Sequence, residues 1–374
     1  MKLQSTHAIG KCIYIVNFDL KGILIAKAVN QGKLELWNYD DNYFRPIALL
    51  KGENEELNQV MDQSSGVVHD STLKVIDVVR RVYNDVSVNQ ARDSRVFRRW
   101  RKRINYICMA LLNIKVCRSW YHFLETAPIQ PILSRYSELP LKPLKPYLSL
   151  ALDIEQRVRI LQDSLLLFAT RWEYFQQIIN KENSIIAKLD LGQDGVAKIC
   201  LELNYQKEGE LSLVLRAAND QIAAMCSFAF ERITTGDYVM RIGRIQGIKD
   251  HDLLRRLEKL MHGLRPKSLM FFLAQELARA LGVTKLFGVS NANQVYINKV
   301  LIPIPGLRKL SFDYDAFWFE VGGVSNQDGW FRLPLTLGKR DIAQTKPAKR
   351  SMYKKRYAML DDISKQVRLT VVGE

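Results

Sequence analysis

The clearest structural signal in the chain runs from His262 to Gly282 and reads HGLRPKSLMFFLAQELARALG. Pro266 suits the first turn of a helix, where its missing N–H leaves no hydrogen bond unmade. Apolar residues then recur at spacings of three and four, with further apolar residues beside them, which indicates burial on most sides. Gly282 is typical of the residue just beyond a helix C-terminus. These signals predict a long helix over 266–281, entering between two strands of a mixed α/β domain near residues 185–335.

The start of this helix carries charge of the wrong sign. The free N–H groups and the helix dipole already place about half a positive charge there, and Arg265 and Lys267 add two full charges. Cations in a first turn cost about 0.3–1 kcal/mol each. An anion bound at residues 262–268 would offset that cost; alternatively, both long side chains extend into solvent.

Strand-like runs lie on both sides of the helix. The runs before it are separated by short turn-like breaks, which favours antiparallel neighbours. The predicted strands are 185–191, 197–204, 211–217, 222–231, 238–246, 285–289, 316–321 and 330–333, and 250–261 is a charged helix. Because strands and helices do not alternate, a doubly wound sheet is excluded. The predicted fold class is α+β, with a mixed, mostly antiparallel sheet around the long central helix in residues 185–338.

Residues 1–90 are predicted to form a small N-terminal extension of mixed β and α structure. Its short β-like runs are separated by turn residues, and a helical pattern follows an acidic and polar loop. The predicted elements are strands at 12–18, 23–29 and 33–37, a hairpin turn at 30–32, and a helix at 73–86 with Ser71 as N-cap.

Residues 91–184 are predicted to be mainly helical. Apolar periodicity indicates a helix over 104–116, and one long helix or two over 154–179. Five prolines lie between them in residues 126–147. They predict an extended connector, because proline removes a donor and disfavours helix in the residue before it.

Residues 339–374 are predicted to carry a basic helix over 349–363. The charge order is reversed relative to the helix dipole, since Lys354, Lys355 and Arg356 precede acidic residues. This order suits contact with an acidic partner or with acidic residues of the same chain.

The composition is that of a folded, basic protein. Hydrophobic residues make up 47% of the 374 residues, enough for a packed core, and the formal net charge is +16. Such a charge attracts nucleic acid, an anionic membrane surface or an acidic carrier protein, without choosing between them. The 5 cysteines show neither metal-ligand nor disulfide spacing. Cys200 and Cys226 lie in apolar runs and are expected to be buried thiols.

The expected location is the cytoplasm, with peripheral attachment to the inner membrane as an alternative. The first twenty residues lack the apolar run of a secretory signal. No stretch reaches the roughly 18–20 apolar residues of a membrane span. No oligomeric state is predicted.

The succession of strand, turn, long helix and strand resembles the core of the GNAT acyltransferase fold. In that fold, a loop of pattern Gln/Arg-x-x-Gly-x-Gly/Ala holds the pyrophosphate of acyl-CoA. Here the glycine-containing run 241–247 ends its strand well before the helix, and only one glycine lies next to the helix. The candidate cofactor-binding residues are Gln246, Gly247, Gly263, Arg265, Lys267 and Ser268.

From about residue 95 onward the chain resembles the VirK/YbjX family of bacterial proteins, whereas residues 1–90 lie outside the resemblance. The matching blocks are IQG at 245–247, HGLRPK at 262–267, GVSN at 288–291, YDAFWFE at 314–320, GWFRLP at 329–334 and KRSMYKKRY at 349–357. The family is mostly known as a domain of unknown function, associated with virulence and with resistance to cationic antimicrobial peptides. Relatives also accompany acyltransferases in biosynthetic clusters for siderophore-carrying microcins. The resemblance implies modification of a peptide or an envelope component.

Three residues are candidates for catalysis. His262 is the candidate general base, because the positive field at the helix start favours a neutral imidazole. Asp315 could orient His262 or act itself, and Tyr314 could donate a proton. The alternative for 314–320 is a β-strand with aromatic packing, which is favoured for its two phenylalanines.

The candidates for substrate binding are Ser290, Asn291, Trp318 and Arg332. The first two follow the strand 285–289, where a GNAT-like sheet opens for substrate. Arg332 stands in a mostly apolar strand and needs a partner, which could be Asp315, Glu320 or a ligand. No metal site is predicted. The motifs of serine proteases, zinc hydrolases, nucleoside triphosphatases and dinucleotide oxidoreductases are absent.

The leading hypothesis is an acyltransferase-like enzyme that uses acyl-CoA or an acyl-carrier protein as donor and modifies a peptide or envelope precursor. Positioning, a general base and a strand amide that polarises the carbonyl would supply catalysis. The alternative is a non-catalytic basic module that binds an acidic partner protein, an anionic lipid or nucleic acid. The second hypothesis predicts strong salt dependence and no requirement for His262.

Overall fold

The protein forms two compact units, residues 1–83 with 93–111, and residues 84–92 with 112–374. The computed structural model describes residues 3–9, 12–19, 22–23, 25–29, 33–40, 43–50, 68–89, 96–170, 185–204, 206–296, 312–336, 338 and 341–372, with the backbone alone before residue 75.

The first unit contains two three-stranded antiparallel sheets. Their strands are β1 (Leu3–Ile9), β2 (Cys12–Asp19), β3 (Gly22–Ile23), β4 (Ile25–Val29), β5 (Lys33–Asp40) and β6 (Tyr43–Leu50). Val29 pairs with Lys33, whereas the predicted hairpin turn at 30–32 lies outside the described residues. Helix α1 (Val68–Asn89) begins before Ser71, so the prediction of Ser71 as N-cap is wrong.

The helical region contains α2 (Val96–Leu112), α3 (Ile114–Leu124), α4 (Gln130–Arg135), a 3₁₀ helix (Leu139–Leu144) and α5 (Ile154–Thr170). The prediction of an extended connector over 126–147 is wrong, because two short helices lie within it. Pro131 and Pro140 occupy first-turn positions, where the missing N–H has no intrahelical partner to lose. The predicted helix over 154–179 is confirmed to Thr170, and its remainder lies outside the described residues.

Eight strands of the second unit form one sheet. They are β7 (Ile185–Asp190), β8 (Val196–Leu203), β9 (Leu211–Arg216), β10 (Ile222–Arg232), β11 (Tyr238–Gly247), β12 (Lys285–Val289), β13 (Val324–Ser325) and β14 (Trp330–Leu333). Their order is β13-β14-β12-β11-β10-β9-β8-β7. Every neighbouring pair is antiparallel except β11 and β12, which are parallel. The predicted α+β class and the mostly antiparallel sheet are confirmed.

Two helices connect the parallel strands. They are α6 (His251–Leu260), capped by the Asp250 side chain at 3.0 Å from Leu253 N, and α7 (Pro266–Ala280). Eleven of the fifteen residues of α7 are buried, and it packs on β9, β10 and β11. Gly282 follows with φ +67, as expected for the residue that ends such a helix. The predicted central helix is confirmed, and so are the buried Cys200 and Cys226 thiols.

Residues 316–321 form no strand in the protein. They belong to α8 (Tyr314–Glu320) and its C-cap, so the predicted strand is wrong. Asp313 is the N-cap, since its carboxylate accepts from Ala316 N at 3.0 Å. Of the two phenylalanines, Phe317 is buried, whereas Phe319 is 60% exposed and contacts the Phe331 ring edge-on.

The C-terminal helix α9 (Pro347–Val372) extends beyond both ends of its predicted range. Its second half buries Leu360, Ile363, Val367 and Val371, and the helix packs on α7 and β7. The Gln366 amide bonds to both Lys188 N (2.8 Å) and Lys188 O (3.0 Å), as a neighbouring strand would. This contact covers part of the free edge of β7.

Candidate functional site

The two parallel strands are paired along only part of β11, because β12 is the shorter strand. Pairing runs from Val239–Lys285 to Ile242–Gly288, after which β11 continues to Gly247. On its other side, β11 contains a bulge. Ile242 and Arg244 pair with consecutive residues of β10, which leaves Gly243 unpaired. A bulge bends its strand. We call the region beyond Ile242 and Gly288 the strand notch.

Two glycines allow the close packing around the strand notch. A Cβ on Gly243 would lie 2.3 Å from Glu208 O and 2.9 Å from Leu148 Cδ1. A Cβ on Gly288 would lie 2.5 Å from the Trp318 ring. Real Cβ atoms do not approach other atoms so closely. The loop before β9 and the indole of α8 therefore reach the strands only because no side chain intervenes.

Glu208 is a buried acid beside the bulge. Its side chain is fully buried, with the Arg244 guanidinium 3.8 Å from Oε1 and the Tyr296 hydroxyl also interacting with it. Neither contact has the distance and angle of a full hydrogen bond to the carboxylate. Burial raises the pKa of Glu208, although Arg244 and Tyr296 oppose the shift. The raised pKa makes this carboxylate a stronger base than an exposed glutamate.

Tyr314 is the predicted catalytic residue that lies in the strand notch. Its hydroxyl interacts with the Ile245 N–H and with the Gln294 side chain, whose Nε2 also donates to Gly243 O at 2.8 Å. Burial raises the pKa of Tyr314, so the phenol stays protonated at neutral pH. Tyr314 can therefore act as a proton donor to a group in the notch.

Asn291 connects the end of β12 to the start of α8. Its side chain accepts from Tyr314 N at 2.8 Å and donates to Asp313 at 2.7 Å. Its backbone N–H donates to Asp315 Oδ1 at 2.7 Å. Ser290, one residue earlier, donates its N–H to Gly329 O at 3.2 Å. Asn291 and Asp315 thus position Tyr314, and their predicted direct roles stay predictions.

Trp318 and Arg332 occupy contrasting environments. Trp318 is fully buried and donates from Nε1 to Val289 O at 2.8 Å, which holds α8 against β12. Arg332 is exposed on β14 and forms no hydrogen bond or ion pair with the described residues. Because Arg332 is exposed to water, it does not need the protein partner that its apolar strand led us to expect. Substrate binding by either residue stays a prediction.

The first turn of α7 adjoins the end of β11. Lys267 Cε lies 3.5 Å from the Cβ position of Gly247, and Lys267 Nζ lies 3.8 Å from the Phe312 ring centroid. Burial, followed by the charge of Arg265, lowers the pKa of Lys267. Arg265 itself pairs with the Glu320 carboxylate. The chain thus brings Gly247 and Lys267 together, with Ser268 in the same turn, while Gln246 is engaged by Arg244 at 3.1 Å.

His262 and Gly263 lie instead beside α9. The His262 carbonyl accepts from Arg356 Nε at 3.0 Å and from Arg356 Nη2 at 2.7 Å. A cleft of about 460 Å³ opens here, which we call the basic cleft, and its lining residues are Lys259, His262, Gly263, Ser351, Met352 and Lys355. Partial burial, followed by the charges of Lys355 and Arg356, lowers the pKa of His262.

The three predicted catalytic residues do not form one site in the described part of the chain. Among the described residues, His262 makes no hydrogen bond, ion pair or ring contact with Tyr314 or Asp315. Glu208, Arg244 and Gln294 also lie at the notch, although none of them was predicted as a catalytic residue. No local pattern signals the burial of Glu208, which depends on the glycine opposite it in β11.

A second buried polar cluster lies close to Glu208 in the chain. Lys142, in the 3₁₀ helix, donates to Gly209 O at 2.7 Å and pairs with Glu210 Oε1 at 2.9 Å. Tyr147 donates to the other oxygen of Glu210, and Tyr136 accepts from Lys142. This cluster fastens the proline-rich segment to the loop that carries Glu208.

The described ranges of the chain contain neither a metal-binding group nor a membrane-spanning helix. No group of three or more His, Cys, Asp or Glu residues there could hold a metal ion. No helix within those ranges is long and apolar enough to cross a membrane.

Comparison with known proteins identifies relatives of the chain. The Escherichia coli uncharacterized protein YbjX is 29% identical over 286 residues, which is 74% of this chain and 86% of YbjX. Two uncharacterized proteins of Haemophilus influenzae are 40% identical over 116 residues (31% of this chain, 37% of the relative) and 27% identical over 198 residues (50% and 62%). No solved structure matches the chain. Residues 95–369 match the family described as protein of unknown function (DUF535), and the chain therefore belongs to that family.

Proposed function

We propose that the protein is an acyltransferase-like enzyme whose reaction takes place at the strand notch. The observation that carries the proposal is the single parallel pair, β11 and β12, whose pairing ends beside a bulge of β11 within an otherwise antiparallel sheet. A GNAT-like sheet opens for its substrates at such a point. The helix that joins the two strands, α7, begins with a basic turn beside the end of β11.

The donor in this proposal is an acyl-CoA or an acyl-carrier protein. Its phosphate-bearing part would bind at the start of α7, where Gly247, Lys267 and Ser268 adjoin a helix end without a side-chain cap. Its acyl group would lie in the strand notch. The glycine-rich loop of ordinary CoA binding is absent, so Lys267 and the helix dipole would replace its contacts.

The proton steps are assigned to Glu208 and Tyr314. The acceptor, a nucleophile of a peptide or envelope precursor, would lose its proton to Glu208 as it attacks the acyl carbonyl. A backbone amide of the bulged strand would polarise that carbonyl. The carbon–sulfur bond of the donor would then break, and the departing thiolate would take the proton of Tyr314. Glu208 is favoured over His262 as the base because it lies beside the notch.

The test uses the full chain with acyl-CoA and with acyl-carrier donors. Donor binding is measured by calorimetry, and donor hydrolysis by release of free thiol. We expect binding of one donor, together with a loss of about 100-fold or more in thiol release for Glu208→Gln and Tyr314→Phe. Glu202→Gln is the matched control, because Glu202 pairs with Arg216 elsewhere in the sheet. Absence of binding and hydrolysis with both donors would overturn the proposal.

A second candidate function is a non-catalytic basic module, favoured by the cations of α9. Lys354 and Lys355 are exposed there, and neither forms an ion pair with a described residue. The module would bind an acidic protein, an anionic lipid or nucleic acid in a salt-dependent manner. Lys354→Glu with Lys355→Glu should abolish the cellular function, whereas Glu208→Gln should not. The opposite pattern would favour the enzyme.

A further inference from the structure

The basic cleft collects cationic groups from three segments that are separate in sequence. Lys259 comes from the last turn of α6, His262 from the turn between α6 and α7, and Lys355 from α9. Ser351 adds a hydroxyl one turn before Lys355. Among the described residues, no carboxylate lines the cleft. Within the described part of the chain, Lys259 and Lys355 form neither an ion pair nor a side-chain hydrogen bond.

The walls of the basic cleft are held in place by hydrogen bonds from a side chain of α9 to the backbone of the turn between α6 and α7. Arg356 donates two hydrogen bonds to the His262 carbonyl, at 3.0 and 2.7 Å, which ties α9 to the turn. Both residues of that turn are left-handed, with φ +55 at His262 and +74 at Gly263. A Cβ on Gly263 would lie 2.9 Å from Arg356 Nη2. The relative positions of Lys259, His262 and Lys355 therefore follow from packing of the backbone.

The charges in the cleft are not compensated by neighbouring groups of the helices. The charged groups that act on His262 are Lys355 and Arg356 of α9, and Lys259 of α6 lines the same cleft. The first turn of α9 contains no acidic residue. Arg350 donates to Ala343 O and Thr345 O, so it is held away as a cap of the preceding loop. Concentrated charge of one sign is favourable only when a counter-charge binds.

We propose that the basic cleft binds a phosphomonoester group. Such a group carries about −1.5 to −2 charges at pH 7 and three strong acceptor oxygens. Two ammonium groups, one imidazole and one hydroxyl can donate to those oxygens, and charge-assisted bonds of this kind are the strong ones. The site is distinct from the strand notch and does not depend on acyl transfer there.

The phosphomonoester could belong to a soluble molecule or to a lipid headgroup. The cleft is about 460 Å³ and open to solvent, so it accepts a terminal phosphate in either setting. The experiment therefore has two arms. One uses inorganic phosphate and glycerol phosphate, and the other uses phosphatidylcholine vesicles with and without phosphatidic acid.

Binding is followed by the imidazole nitrogen signals of His262 in the full chain, at constant ionic strength set with chloride. We expect phosphate to shift these signals and to raise the pKa of His262, because the bound dianion reverses the effect of the cations. Lys259→Ala with Lys355→Ala should weaken binding at least about tenfold, or 1.4 kcal/mol. The control, Lys285→Ala with Lys365→Ala, removes the same charge at exposed positions outside the cleft and should bind as the wild type does.

Each outcome bears on the proposal. Phosphate binding that only the cleft variant loses supports a soluble ligand. Binding to phosphatidic acid vesicles alone, again lost only in the cleft variant, supports a lipid headgroup. Equal weakening in the two double variants would show that the overall positive charge of the protein attracts phosphate without a specific site. That result would overturn the proposal. Failure of wild-type protein to respond in both arms would overturn it as well.

Discussion

The strand notch and the basic cleft adjoin the same short stretch of chain, 262–268, yet their ionisable groups lie in opposite environments. In the notch, Glu208 and Tyr314 are buried, and burial is the main cause of their altered pKa values. In the cleft, the side chains reach solvent, and cations crowd one imidazole. Burial raises the free energy needed to ionise a group, whereas exposure to water allows several like charges to lie close together. The notch is therefore suited to chemistry and the cleft to binding.

The largest expected difference concerns two lysines. Lys142→Met should destabilise the protein by about 3–5 kcal/mol, because it leaves the buried Glu210 without its cation. Lys355→Met should change stability by less than about 0.5 kcal/mol, because Lys355 is exposed. Urea unfolding of both variants measures the two effects. Similar values for the two would contradict the contrast between buried and exposed charge.

A smaller effect is expected at the bulge. Gly243→Ala should cost about 3 kcal/mol, since the new Cβ would meet the Glu208 carbonyl oxygen at 2.3 Å. Gly338→Ala is the control, because nothing lies within 4 Å of its Cβ position. Both variants are compared by thermal unfolding. If Gly243→Ala proved as stable as the control, the glycine would not be required for the packing of Glu208.

The smallest effects concern pH, and the two regions should respond in opposite directions. The folded-state pKa of Glu208 is raised, so its contribution to stability is complete below about pH 4.5 and is lost as pH rises through the raised value. The pKa of His262 is lowered, so its contribution is complete above about pH 6.5 and is lost as pH falls through the lowered value.

Two variants test the directions of these two changes in stability with pH. Relative to the wild type, Glu208→Gln should gain stability as pH rises, and His262→Gln should gain stability as pH falls. Free energies of unfolding from urea titrations across about pH 4–8 provide the measurement. Parallel pH profiles for the two variants would refute the opposite directions of the two pKa shifts, which are upward for Glu208 and downward for His262.

Local signals predicted much of the sheet domain. The strands β7 to β12 and the helices α6 and α7 were expected within a residue or two of their ends, since each has its own periodicity and stop signal. Residues 314–320 show where such signals fail. Their aromatic residues fit a strand pattern, but Asp313 caps a helix there and the Asn291 side chain, from the end of β12, accepts from its first N–H.

The candidate site was predicted only in part. Three of the predicted residues lie at the strand notch, namely Tyr314, Gly247 and Lys267. His262 lies instead at the basic cleft, under α9. A positive helix start made His262 attractive as a base, but the sequence carried no information on which later segment would cover it. Glu208 was missed for the same reason, because its burial depends on a glycine thirty-five residues away.

By itself, the sequence determined the central helix, its basic start and the antiparallel strands before it. Those features rest on residues within one or two turns of each other, so periodicity and capping suffice. Only the tertiary structure decided which polar groups are buried at the notch and which cations meet at the cleft. Both depend on contacts between segments far apart in the chain, and such contacts are set by packing, since no local preference specifies them.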